Sequence, residues 1–411
     1  MTENKKEEPW LRLVGIGDDG IRGLGEDAHR ALDSADIIAG GRRHLALIGE
    51  SAHKRLVWPA GGSDAFIEAL VDVEGQQVCV LASGDPMLFG IGVVLVRRFG
   101  IESLRIYPAP SSFSLAAARL GWPLQEVNAV SVHGRPLALL QTHIHPRARL
   151  LILSTNGTTP ANVAALLCAR GFGKSMMTVL EHLGGAQERI RCVQVNEFNL
   201  NECADLNLLA IECRGSPDAV VLPMTTGLPD DVFVHDGQLT KRETRAATLA
   251  ALAPFPGARL WDIGAGCGSI AIEWMRCSPH NHAVALEPQD ARRELIERNA
   301  QALGTPELNI VEGRAPEALT KARRHFLPDA IFVGGGAKEA GVLEQCQEFL
   351  PYGGRLVANV VTLEGERSLL DFHKSFGGEL VRLSVARMVP VGSLKGWRSL
   401  MPVTQLIYVK C

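Results

Sequence analysis

The sequence predicts an α/β protein of two domains, and three observations carry that expectation. Short apolar runs alternate with helical stretches along nearly the whole chain, the pattern of strands joined by helices in a mostly parallel sheet. A glycine-rich turn, Asp262-Ile-Gly-Ala-Gly-Cys-Gly268, lies between one such run and a helix. Between residues 215 and 238 the periodicity lapses, and Pro217, Pro223, Gly227, Pro229, Asp230, Asp231 and Gly237 make a turn-rich connector. The 411 residues exceed one ordinary core, so the connector is expected to separate a domain at 10–214 from one at 239–411.

Composition narrows the class. Hydrophobic residues at 46% with 21% charged residues describe a globular chain, and the 42 glycines suit an α/β protein rich in tight turns. A formal charge of −3 gives no general attraction to nucleic acid or to an anionic membrane. The nine cysteines are odd in number and none stands in a C-x-x-C pair, which argues against a disulfide framework or structural zinc and for the reducing cytoplasm. The first ten residues are polar, lack the apolar core of a signal peptide, and are expected to fray. The longest apolar run, Met87–Val96, is broken by Gly90 and Gly92 and falls short of the roughly 20 residues that span a bilayer. A soluble protein is expected.

In the first half, Leu11–Gly17 reads as a strand entering the loop Gly15-x-Gly17-x-x-Gly20, with a delayed helix. Asp36–Ala39 opens onto Gly40-Gly-Arg-Arg-His44, where three potential cations at a helix start favour an anion or form a solvated basic turn. Strands at Val78–Ala82 and Leu104–Tyr107 deliver the sharp loop Ser83-Gly-Asp-Pro-Met87 and a serine-capped helix ending at Leu120. Further strands fall at Ala129–Val132, Leu150–Ser154, Met177–Leu180 and Leu208–Glu212, with a helix at Pro160–Arg170. Functional loops belong beyond the carboxyl ends of such strands.

In the second half, Thr240 and Glu243 match an S/T-x-x-E capping box for the helix that follows. The run Leu260–Ile263 enters the glycine turn, where missing Cβ atoms let backbone N–H groups approach a ligand. Glycines at 264, 266 and 268 differ from the dinucleotide G-x-G-x-x-G, whose third glycine would replace Ser269. The acid Glu287 closes the next apolar run where a Rossmann-like unit places its ribose ligand. The helix Asp290–Leu303 and strands at Leu308–Glu312, Asp329–Val333 and Arg355–Val360 follow, with two terminal apolar stretches, Glu379–Val389 and Pro402–Val409, forming a strand pair. On these residues alone, a plain strand–turn–helix, an NAD site and a methyl-donor site all stay open.

Asp262, the three glycines and Glu287 together resemble the donor motifs of the seven-strand S-adenosylmethionine-dependent methyltransferases. Val14-Gly-Ile-Gly, Gly40-Gly-Arg-Arg-His, Leu81-Ala-Ser-Gly-Asp-Pro-Met, Pro110-Ser-Ser-Phe-Ser and Glu181-His-Leu-Gly-Gly resemble the tetrapyrrole methyltransferases of the corrin pathway. The resemblance implies a two-lobed tetrapyrrole methyltransferase fold followed by a Rossmann-like seven-strand domain. It implies donor contacts at Gly84, Asp85, Met87 and Ser112 in the first half, with Gly15, Gly17, Arg42 and Arg43 on the substrate side. In the second half it implies donor contacts at Thr240, Asp262, Gly264, Ala265, Gly266, Cys267, Gly268, Glu287 and Ala315.

The implied enzyme is bifunctional, with two S-adenosylmethionine sites. It methylates carbons 5 and 15 of precorrin-6B and decarboxylates the ring C acetate to give precorrin-8. A homo-oligomer is implied, without nucleic acid, membrane or metal partners. A carboxylate-rich tetrapyrrole substrate calls for cations, and Lys241, Arg242 and Arg245 are the candidates; the alternative is a solvated helix start. His235 and Asp236 are available for proton transfer but lie in a turn-rich stretch that would carry them anyway. Cys267 lacks an adjacent base, so a nucleophilic role is not expected. A single catalytic site in the second half, with the first half binding tetrapyrrole, remains the alternative. A ligand-sensing protein derived from an enzyme is the non-catalytic one.

Overall fold

The computed structural model describes residues 9–411, and the expected fraying of the first ten residues falls almost wholly outside them. The chain forms two compact units: residues up to Arg135 with His145–Val220, and Pro136–Ile144 with Val221–Cys411. No helix among the described residues is long and apolar enough to cross a membrane.

The first unit has two sheets. Strands β1 (Leu11–Ile16), β2 (Ile37–Gly40), β3 (Lys54–Val57), β4 (Val78–Ser83) and β5 (Leu104–Tyr107) form a parallel sheet in the order β3-β2-β4-β1-β5. Helices α1 (Glu26–Asp33), α2 (Arg42–Leu47), α3 (Gly62–Val71) and α4 (Ile91–Phe99) connect them. β1 and β2 are buried along their whole length, as expected for parallel strands covered on both faces. Helix α5 (Ser112–Leu120) leads out of this lobe; its Ser111 cap accepts from Ser114 N–H at 3.1 Å, as the sequence predicts.

The second lobe departs from the expected parallel sheet. β6 (Asn128–Ser131), β7 (Arg149–Leu153), β8 (Met176–Glu181), β9 (Arg189–Gln194) and β10 (Asn207–Glu212) run in the order β6-β7-β10-β8-β9. Only β6 and β7 pair parallel; β10 lies antiparallel to both β7 and β8, and β9 turns back on β8. Helix α6 (Thr159–Ala169) carries the chain from β7 to β8, which share a direction with β10 between them, and only β8 to β9 is a direct reversal. Strand β9 has no buried residue and is mixed in character, so it makes no apolar run in the sequence.

In the second unit, α7 (Arg242–Leu252) precedes a seven-stranded sheet in the order β13-β12-β11-β14-β15-β19-β16. Its parallel part is β11 (Arg259–Ile263), β12 (His282–Glu287), β13 (Asn309–Glu312), β14 (Ala330–Val333) and β15 (Arg355–Val360). Helices α8 (Ser269–Arg276), α9 (Asp290–Leu303), α10 (Leu319–Ala322), α11 (Val342–Phe349) and α12 (Leu363–Phe376) complete the layers. The expected terminal strand pair is present, as β16 (Glu379–Leu383) antiparallel to β19 (Val403–Val409). The stretch Glu379–Val389 is not one strand, however. It breaks after Leu383, and β17 (Ala386–Val391) pairs with β18 (Leu394–Ser399) as a separate two-stranded sheet. The segment Pro136–Ile144 joins this unit at the end of α9, where a Cβ on Gly304 would meet Thr142 Cγ2 at 2.8 Å.

The predicted capping box is replaced by another device. The cap residue of α7 is Lys241, without a side-chain bond, and Asp230 Oδ1 accepts from Arg242 N–H at 2.9 Å. A carboxylate from the connector therefore does what Thr240 was expected to do. Arg245 sits beneath it, fully buried. Its guanidinium pairs with Glu273 at 2.5 Å and Asp230 at 3.3 Å, and also donates to the carbonyls of Thr240 and Leu228. Glu273 accepts from Gly227 N–H at 2.6 Å and Leu228 N–H at 2.9 Å. One ion pair thus fastens residues 227–240 to α7 and α8. Replacing Glu273→Ala leaves a buried guanidinium short of its main partner and is expected to lower the stability of the second unit by roughly 3–5 kcal/mol, read from its urea unfolding transition.

Candidate active sites

In the first unit a cavity of about 420 Å³ opens between the two lobes, bounded by the loops after β1, β4 and β5 and by the ends of β7, β8 and β10. Of the residues expected at the donor or on the substrate side, Gly17, Arg43, Gly84, Asp85 and Ser112 line it. Gly15 does not. It is buried in β1, where an added Cβ would overlap the Gly84 carbonyl oxygen and come within 2.8 Å of Ala109 N. Its role is to let the strand-end loops touch. Arg42 is exposed at the start of α2 and outside the wall, and Met87 also misses it. The Met87 sulfur packs toward Gly92, and Leu88 and Phe89 form the wall instead.

Several polar groups that were not singled out converge on this cavity. Asp18 Oδ1 receives Arg43 at 3.0 Å, and Asp18 Oδ2 lies 3.1 Å from His182 Nδ1. Ser83 Oγ receives Arg43 at 2.9 Å and lies 2.8 Å from His44 Nε2. Burial, followed by the adjacent charge of Arg43, lowers His44 to about 4, so it stays neutral. Ser154 Oγ and Asn207 Oδ1 line the cavity, are buried, and have no partner among the described residues. Unsatisfied buried polar atoms facing a cavity mark places where a ligand completes the hydrogen bonding. His44 and His182 belong to the Gly40-Gly-Arg-Arg-His and Glu181-His-Leu-Gly-Gly motifs, and Ser154 ends the strand expected at Leu150–Ser154; Asp18 and Asn207 carry no local signal, because lobe packing alone brings them here.

In the second unit β11 runs into the glycine turn and α8 as predicted. Gly264 has φ +69°, and an added Cβ would stand 2.8 Å from both Gly335 Cα and Gly335 N. The loop after β14 therefore packs on the turn backbone to backbone. Glu287 reaches the turn, with Oε2 accepting from Gly266 N–H at 2.9 Å and Oε1 from Gln289 N–H at 3.1 Å. Around Gly266 a Cβ would find only Gln238 O, at 4.0 Å, which leaves room over the turn and places the end of the connector beside it. Thr240 follows two residues later, its carbonyl held by Arg245.

Two of the predicted contacts at this turn reach it by backbone at most. Cys267 has its side chain in the core, and burial raises the thiol to about 11, which excludes a reactive thiolate. Ala315 is buried in the same core cluster as Val311, Ala318 and Leu319. Arg245 is corrected outright: its charge is wholly engaged inside the protein and is not available to a substrate carboxylate. Lys241 is half-buried and Arg242 exposed beside Glu243 at 3.1 Å, so these two remain at the surface. Asp236 pairs with Arg292 at 2.8 Å and accepts from Gln238 N–H, and His235 accepts from Gly237 N–H; both shape the connector.

Asp262 is buried, with Oδ2 accepting from Ala271 N–H at 3.0 Å and Oδ1 unpartnered among the described residues. Burial raises its pKa to about 7 against the lowering effect of that N–H, and the neighbouring Glu287 charge adds to the rise. The unfolded chain ionises this acid from about pH 4, whereas the folded chain holds the proton until about pH 7. Stability from this group is therefore full below pH 4 and lost as pH rises to 7. Asp262→Asn is expected to remove a slope of up to about 1.4 kcal/mol per pH unit in that window, checked by urea midpoints from pH 4 to pH 8.

Comparison with known proteins fits both geometries. Residues 11–198 match the tetrapyrrole (corrin/porphyrin) methylases and residues 231–410 the precorrin methyltransferase domain. A precorrin-6Y C(5,15)-methyltransferase [decarboxylating] from Sinorhizobium sp is 49% identical over 406 residues, covering 98% of this chain and 97% of that one. The cobalt-precorrin-7 C(5)-methyltransferase of Salmonella typhimurium is 35% identical over 191 residues, 46% of this chain and 92% of its own. A probable cobalt-precorrin-6B C(15)-methyltransferase (decarboxylating) of Pyrobaculum aerophilum is 35% identical over 170 residues, 40% of this chain and 85% of its own. The chain belongs to the precorrin-6Y C(5,15)-methyltransferases (decarboxylating), S-adenosylmethionine-dependent enzymes of cobalamin biosynthesis.

Proposed function

We propose that each unit holds its own methyl-donor site. In this reading the first domain, 10–214, methylates carbon 5; the second, 239–411, methylates carbon 15 and removes the ring C acetate carboxylate; and 215–238 links them. Precorrin-6B is then the substrate and precorrin-8 the product. The observation that carries this is a pair of strand-end loops, each with buried polar atoms that lack a partner among the described residues: Ser154 Oγ and Asn207 Oδ1 in one, Asp262 Oδ1 in the other. The two single-function relatives, each aligned to less than half of this chain, support the same division.

When bound, S-adenosylmethionine supplies an electrophilic methyl group on a sulfonium. In the first unit Gly84, Asp85 and Ser112 offer its contacts, and the unpartnered oxygens of Asn207 and Ser154 on the same cavity support further ones. In the second, the backbone of residues 264–268, with Asp262, Thr240 and Glu287 around it, forms the cradle. Holding two reactants in line can supply roughly 7–11 kcal/mol of a barrier, so rigid loops matter more here than a reactive side chain. Lys241 and Arg242 meet the substrate's carboxylates at the rim. Decarboxylation leaves its electron pair to the conjugated macrocycle, and the protein's part is to orient that carboxylate and exclude water.

We also read the protein as a cytoplasmic homo-oligomer. Its nine cysteines are free, which suits a reducing compartment, and the β17–β18 hairpin exposes Met388, Leu394 and Trp397 by 55%, 74% and 78%. Light scattering at micromolar concentration is expected to show more than one chain per particle, and a Trp397→Lys chain to shift toward monomer.

The division of labour is tested with the full chain. Calorimetry with S-adenosylhomocysteine is expected to give two sites per chain, and one in either Gly84→Ala or Gly264→Ala. Mass spectrometry of the reduced precorrin reaction is expected to show two methyl gains and one loss of carbon dioxide. The Gly84→Ala chain is expected to retain one methylation and the decarboxylation. A single donor site in the unaltered chain would overturn the reading.

A further inference from the structure

We propose that His182 accepts the proton released when the first unit methylates its substrate carbon, with Asp18 and Arg43 as positioning residues. This rests on the reading that the first unit carries the carbon 5 methylation. A methyl group that replaces hydrogen on an enamine-like bridge carbon leaves one proton over. The carbon–methyl bond forms as the sulfur–methyl bond breaks; the carbon–hydrogen pair then returns to the conjugated ring, and the proton needs an acceptor.

The geometry selects one. Three imidazoles line the cavity, those of His44, His133 and His182. His44 has Nε2 engaged by Ser83 and Arg43, and burial with the Arg43 charge keeps it neutral. His133 is exposed, and among the described residues its ring makes no ion pair with a carboxylate. His182 is 28% exposed, with Nδ1 on the Asp18 carboxylate and no partner on Nε2 among the described residues. Donation from Nδ1–H to Asp18 selects the tautomer in which Nε2 carries a lone pair, open to a proton from the substrate.

The arrangement is built rather than incidental. His182 holds φ +48°, an uncommon backbone for a residue with a side chain, just after β8. A Cβ on Gly185 would stand 2.5 Å from Asp18 Oδ2, so glycine there lets the acid from one lobe reach the imidazole of the other. Arg43 holds the second Asp18 oxygen at 3.0 Å and keeps it turned toward His182.

The test uses the full chain with S-adenosylmethionine and the reduced precorrin under single-turnover conditions, following each methylation by mass. His182→Gln is expected to slow the carbon 5 step by about 10²-fold, with S-adenosylhomocysteine affinity by calorimetry unchanged. Added imidazole is expected to restore rate to His182→Ala, a result a merely structural role would not give. Asp18→Asn is expected to slow the same step and not the carbon 15 step. The proposal is overturned by an unaltered rate in His182→Gln, by parallel loss of rate and donor affinity, or by absence of rescue with affinity intact. If Gly84→Ala instead keeps both methylations, the assignment of carbon 5 to this unit fails first.

Discussion

Both units depend on an approach of backbone to backbone that a side chain would forbid. In the first, the end of β1 lies against the Gly84 carbonyl and Ala109 N–H because residue 15 is glycine. In the second, Gly264 lies 2.8 Å, measured from its missing Cβ, from the Gly335 backbone. Parallel strands already place their loops at one end of a sheet. Contact between those loops turns a row of separate turns into a continuous floor, with N–H groups and short polar side chains fixed in position.

The same economy governs charge. Buried ions in this chain act as fasteners. Arg245 and Glu273 hold the connector on α7 and α8. Arg276 donates to the carbonyls of Leu222, Pro223 and Leu303. Burial would raise Glu181, but hydrogen bonds from Arg189 and Ala204 N–H, with the charges of Arg191 and Arg189, hold it at about 2. An ion held by several donors contributes by leaving no charge uncompensated, since a buried pair is costly to break and of modest value to form. The cavity, by contrast, also presents groups with spare capacity: amide and hydroxyl oxygens and a partly exposed imidazole.

That contrast explains what the sequence discloses. The strand–glycine–helix unit at 259–276, the Ser111 cap and the loop at 83–87 are local, because propensity and turn chemistry within a few residues determine them. The antiparallel return of β10 and β8 is not local, since either direction satisfies the same apolar run. The joining of Pro136–Ile144 to the second unit depends on contacts with α9, more than 150 positions away. Arg242 and Arg245 look alike in sequence, one helix turn apart, yet one reaches solvent and the other lies beneath Asp230. Thr240 offered a cap that Asp230 took, because the connector folds back over the helix start. Asp18 was invisible for the same reason: its meaning comes from His182, 164 positions later.

The proposed division of reactions also accounts for the different side chains around the two sites. A methylation coupled to loss of carbon dioxide closes its own charge: a methyl cation enters and a carboxylate's negative charge leaves with no net proton released. A methylation alone does not close, and one proton must be taken up. The turn of the second unit is faced by Asp262, which burial holds largely protonated below pH 7, and by Glu287, whose oxygens already accept backbone N–H groups. Neither is arranged as a ready base. The first unit instead sets a carboxylate-backed imidazole on its cavity wall. In the proposed division the two sites share a way of holding loops together and differ in the group available to complete the proton balance, as the two reactions require.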